Sequence, residues 1–145
     1  MEQNMLDKEF KEIFESIKNE IYKTQTLIMS DANKRLLELY FYIGKVVNEK
    51  SSWGNKFIDS LSTQMKIDFP NIKGFSVRNI KNMKKFYLES SANEKVQMAS
   101  AQIPWSHNLL ILDKIKNEDE RLWYMHKCLE NGWSVDVLQI QIETK

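Results

Sequence analysis

Cysteine, proline and glycine are all scarce in this 145-residue chain, which has one, two and four of them. A single thiol, Cys128, cannot close an internal disulfide, so a cysteine-stapled scaffold is excluded and no oxidising compartment is required. So few glycines and prolines exclude collagen-like and low-complexity chains. Long apolar runs are missing too: the longest are residues 109–112 and 39–43, the second interrupted by Tyr40 and Tyr42. Neither approaches the roughly 18 apolar residues that suggest a membrane span, and the acidic N-terminus lacks the form of a signal peptide. No alternating Val/Ile/Thr-rich run and no internal repeat is present, which leaves no candidate strand. The expectation is a soluble, cytoplasmic, all-α domain with no membrane association.

What is present supports a folded core. Apolar residues make up 42% and charged residues 28% of the chain, too apolar for disorder. At this length a domain buries about two thirds of its unfolded surface. The net charge of +1 points to no partner, but its distribution does. Residues 73–85 carry five cations (Lys73, Arg78, Lys81, Lys84 and Lys85) and no acid, and taking that +5 from the total leaves −4 on the rest. A basic island on an acidic body marks a candidate surface for a polyanion.

Helical periodicity runs through the chain. Phe10, Ile13, Phe14, Ile17 and Ile21 fall on one face of an amphipathic helix over residues 6–28, with Glu and Lys on the other positions. Ser30 or Asp31 can cap a second helix through Leu36, Leu37, Leu39, Tyr40, Ile43 and Val47, unless both stretches form one long helix. Gly44 inside it costs about 1 kcal/mol against Ala, so another backbone is expected close by. After a Ser-Ser-Trp-Gly turn, Phe57, Ile58, Leu61 and Met65 mark a helix that stops at Phe69-Pro70. Ser76 then caps a helix whose inward stripe is Val77, Ile80, Met83 and Tyr87. Residues 89–93 read as a polar loop, and Val96, Ala99 and Ile103 as a short helix. Ser106 caps a helix carrying Leu109, Leu110, Leu112 and Ile115. Another spans residues 118–131 and stops at Gly132; Ser134 caps the last, which carries Val135, Leu138 and Ile142. That last helix lacks a closing signal, as expected of a piece of a longer chain. One multi-helix domain over residues 1–145 is expected.

The helices at about residues 54–69 and 76–88, joined by a tight glycine-containing turn, have the form of a helix-turn-helix. In that motif the second helix enters the major groove. With Val77, Ile80 and Met83 inward, Arg78, Lys81, Asn82 and Lys85 share the opposite face. Arg can bond guanine in a bidentate way, and Asn adenine. Lys73, Lys84 and the free N–H groups after Ser76 suit phosphates. A basic helix face that is merely solvated is the plainer reading of the same residues.

Other chemistries find little support. His126 and Cys128, at i and i+2, point to different sides of a helix and cannot chelate one ion or act as a base–nucleophile pair. His107, the other histidine, reads as structural, and Cys128 as a small buried hydrophobe. There is no Gly-rich phosphate loop, and Glu-x-Lys sequences lie on no expected strand, so no nuclease site assembles. Trp53, Trp105, Trp123 and Trp133 lie outside the basic island and read as packing residues rather than a base-stacking platform.

The stretch Trp53 to Tyr87, WGNKFIDSLSTQMKIDFPNIKGFSVRNIKNMKKFY, resembles the signature of the YhcG N-terminal domain family. There the pattern runs WG-x-x-x-I-x-x-LS, then FP-x-x-x-GFS-x-RN-[IL]-x-x-M-x-x-FY. LYFYIG (39–44), IPWSHNLLIL (103–112), RLWY (121–124) and GWSVDVLQIQI (132–142) continue the likeness, which covers the chain from about residue 10 onward. The resemblance implies a helical, helix-turn-helix-like module that usually precedes a PD-(D/E)xK nuclease domain and recognises DNA for it, without a cofactor. The nuclease carboxylates and lysine have no counterparts here, so no enzymatic activity is expected. The matching residues are Gly74, Phe75, Ser76, Arg78 and Asn79, with Phe75 bridging the turn to the core. Arg78 and Asn79 are the two that packing explains least.

The resulting expectation is a DNA-binding module. Arg78, Asn79, Lys81 and Asn82 lie nearest the bases; Lys73, Ser76, Lys84 and Lys85 lie near the backbone. The nuclease domain acts in cis or in trans. The alternative is a protein-interaction or dimerisation module that pairs through its N-terminal helices, or docks a nuclease or restriction partner, without touching DNA.

Overall fold

In the computed structural model, residues 2–144 are described. The order is α1 (Glu2–Glu49), a 3-10 turn (Ser51–Trp53), α2 (Asn55–Asp68), α3 (Val77–Ser90), α4 (Glu94–Ser100), α5 (Trp105–Lys114), α6 (Glu118–Asn131) and α7 (Val135–Glu143). The fold is all-α; among the described residues there is no strand, and no helix is long and apolar enough to cross a membrane.

The chain divides into two units, one ending at Ala32 and one beginning at Asn33. The first is helical. Every described side chain from Gln3 to Ala32 is exposed except that of Lys18, which is half-buried. Nothing within that unit covers its apolar stripe.

The second unit holds two hydrophobic clusters. One joins Leu37, Tyr40, Ile43 and Val47 of α1 to Ile58 of α2, Phe75 of the turn, and Ile80 and Met83 of α3. The other joins Val96 and Ala99 of α4 to Ile103, Ile111 and Ile115 around α5, with Tyr124, Met125 and Cys128 of α6 and Leu138 of α7. The inward stripes follow the 3.6-residue period expected of amphipathic helices. The anticipated close approach at Gly44 is found: a Cβ there would lie 2.1 Å from the Met83 carbonyl oxygen. Arg121 is buried and ion-pairs with Glu89 at 2.8 Å. Its Nε donates to Ile115 O (2.5 Å) and its NH2 group to Leu112 O (3.3 Å), satisfying carbonyls left over at the end of α5.

Cap chemistry held at several helix ends. Ser76 Oγ accepts from Asn79 N, Ser134 Oγ from Val137 N, and Gly132 closes α6 in the left-handed region at φ 60°. The choice between two helices and one is settled, and two local expectations are corrected. Ser30 and Asp31 lie inside α1 rather than ahead of a second helix; no Pro or Gly interrupts the chain there, so the helix propagates through them. Ser106 does not cap α5. Pro104 stands at the N-cap with φ −63°, and Ser106 Oγ faces His107 Nδ1 at 3.4 Å. Residues 89–93 are not simply loop: α3 continues to Ser90, and Asn93 Oδ1 caps α4 by accepting from Lys95 N (3.0 Å) and Val96 N (3.3 Å).

Candidate nucleic-acid interface

The turn between α2 and α3 is fixed from both sides. Buried Ser62 on α2 donates to Phe75 O at 2.6 Å, and Phe75 packs in the core against Phe69 at a ring separation of 6.5 Å. Gly74 adopts φ 107°, where side chains are disfavoured, and a Cβ on it would lie 2.6 Å from Tyr40 Oη. Glycine is thus required there twice over, by backbone conformation and by space.

Asn79 closes the turn from the α3 side. Its Nδ2 donates to Gly74 O at 2.7 Å, and its Oδ1 accepts from Trp105 Nε1 at 2.9 Å. Tyr40 also bonds this amide. Burial raises the Tyr40 phenol above its ordinary range, and the bond with Asn79 opposes that rise. Trp105 is held in turn by edge-on contacts with Tyr40 (4.8 Å) and Phe86 (5.2 Å). One amide therefore ties α1, the turn, α3 and α5 together. This corrects the expectation that packing explains Asn79 poorly: its side chain is committed to the fold. The Trp105 contact was missed because it spans 26 residues, and no local pattern signals it.

The remaining site residues fall into groups. Lys73 on the turn and Arg78 and Lys81 on α3 are exposed; Asn82, Lys84 and Lys85 are half-buried. Arg78, Asn82 and Lys85 come together along one groove between α3 and α5, facing Ser106, Leu109 and Asp113. Lys84 is not among that groove's lining residues. Ser76 is spent as the N-cap, although its hydroxyl hydrogen remains available. Among the described residues, none of Lys73, Arg78, Lys81, Lys84 and Lys85 is in an ion pair, whereas Arg121 is. The island thus presents charge that the fold has not neutralised.

The histidines and the cysteine are not brought together. His107 is buried and its Nε2 lies 2.7 Å from Trp133 O; His126 is exposed. Cys128 is buried, and burial pushes its thiol up to about 11. Among the described residues no group of three or more His, Cys, Asp or Glu is placed to hold a metal ion.

Residues 16–145 match the family model of the DUF1016 N-terminal domain, the family of the YhcG N-terminal region. No curated protein and no solved structure matches the chain.

Proposed function

The chain belongs to the DUF1016 N-terminal domain family, and we propose that it acts as a non-catalytic, helix-turn-helix DNA-binding module serving a PD-(D/E)xK nuclease domain in cis or in trans. The observation that carries this reading is the set of five cations on and before α3, unpaired by any acid and mounted on a turn locked by Ser62 and Asn79.

Helix α3 docks in the major groove with its first turns toward the base edges. Arg78 and Lys81 have the freedom to reach guanine. Asn82 and Lys85 lie beside them on the same face, and Lys73 and Lys84 contact phosphates together with the first-turn N–H groups behind Ser76. Asn79 is a positioning residue in this mechanism and reads no base.

The test is fluorescence anisotropy with labelled duplex DNA on the Arg78→Ala/Lys81→Ala double variant. Both side chains are exposed, so the melting temperature stays within a few degrees while affinity falls at least about tenfold. An unchanged affinity, or a collapse of stability instead, overturns the proposal.

A further inference from the structure

Residues 6–28 carry an apolar stripe that nothing in their own unit covers. Leu6, Phe10, Ile13, Ile17, Ile21, Thr24 and Ile28 follow one another at spacings of 4, 3, 4, 4, 3 and 4. That is an eleven-residue repeat taken twice, 3.67 residues per turn, which keeps the stripe on one side of a nearly straight helix for about 33 Å. Phe14 widens it, stacked on Phe10 at 6.2 Å. Exposure is 60% for Leu6, 68% for Phe10, 52% for Ile13, 51% for Phe14, 54% for Ile17, 51% for Ile21 and 62% for Ile28.

We propose that this segment pairs in parallel with the same segment of a second copy of the chain. Two observations support that occupant. At about 150–200 Å² for a fully exposed large apolar side chain, the stripe leaves on the order of 700 Å² uncovered, close to the roughly 800 Å² each partner contributes to a stable interface. It also exceeds the about 300–600 Å² of the largest patch on a typical monomer. The flanks supply the second: Glu9 and Glu20 border one edge of the stripe, while Lys18 stands on the other, one eleven-residue repeat after Asp7. In a parallel two-fold pair the edges cross, so Glu20 meets the partner's Lys18. An antiparallel pair sets each glutamate edge against the partner's glutamate edge. A second copy supplies a stripe of equal length, straightness and flanking charge at equal stoichiometry. The inference is independent of DNA binding, since each can hold without the other.

Sedimentation equilibrium of the whole chain at 1–50 µM tests it, with two sets of variants. The expected mass is twice 17.2 kDa. Ile17→Glu, which buries a charge in the seam, is expected to return the monomer mass. Lys18→Glu weakens association about threefold, and adding Glu20→Lys restores it, as two exposed ion pairs predict. A monomer at 50 µM overturns the proposal and leaves the stripe to a different protein. A dimer indifferent to Ile17→Glu places the interface elsewhere, and one indifferent to the charge reversal refutes the parallel arrangement.

Discussion

The indole N–H of Trp105 donates to the side-chain oxygen of Asn79 at 2.9 Å, across 26 residues of chain. This bond joins α5 to the first turn of α3, whose Asn79 amide also holds the Gly74 carbonyl of the α2–α3 turn. It ties the Asn79 side chain of the GFS-x-RN stretch into the scaffold, and leaves Ser76 and Arg78 as its exposed members.

Removing either partner strands the other. Asn79→Ala is expected to cost about 1–3 kcal/mol of stability, because the Gly74 carbonyl and the Trp105 N–H both lose their bond. In a double-mutant cycle with Trp105→Phe, the two changes are non-additive by roughly 1 kcal/mol in urea unfolding. Strict additivity contradicts the pairing.

Gly44→Ala ordinarily strengthens a helix interior by about 1 kcal/mol. Here the added methyl lands 2.1 Å from the Met83 carbonyl oxygen, backbone that cannot swing away as a side-chain tip can. The urea midpoint is therefore expected to fall, by a net cost of about 1–3 kcal/mol with the slope unchanged. A raised midpoint refutes the close approach.

Cys128 is expected to react slowly with a thiol reagent at pH 7.5 in the folded chain and rapidly after unfolding. Burial holds its thiol at about 11, against about 8.5 in an unfolded chain. The folded state thus favours the neutral thiol. That contribution is full below about pH 8.5 and is lost as the pH rises toward 11. Tyr40, also raised by burial, adds a loss of the same sign above its ordinary range. Melting temperature followed from pH 8 to 11 is expected to fall more for the wild-type chain than for Cys128→Ala. An equal fall in both assigns the alkaline loss elsewhere.

Helices were legible where a stop or a cap is a matter of one or two neighbouring residues. Phe69-Pro70, Ser76, Gly132 and Ser134 each mark an end the structure bears out, and the Gly44 contact follows from the cost of a glycine in a helix. Illegible features depend on distant partners or on competing local signals. Ser30 and Asp31 are capping types, yet helix continues through them because nothing there breaks it. Ser106 lost its cap position to Pro104, two residues earlier. The basic island was readable from charge alone, but the division of labour within it was not. Asn79 needed Trp105 and Tyr40, and Arg121 needed Glu89 and two carbonyls of α5, all brought in by tertiary packing.

The most direct measurement is an anisotropy titration of the wild-type chain with labelled duplex DNA, repeated between about 50 and 200 mM salt. The island's five cations displace counterions condensed on the duplex whether they end on phosphates or at base edges, so the logarithm of the affinity falls against the logarithm of salt with a slope of about −4. A duplex that binds with that slope identifies the island as the DNA contact. No binding at the lowest salt, or binding indifferent to salt, contradicts it.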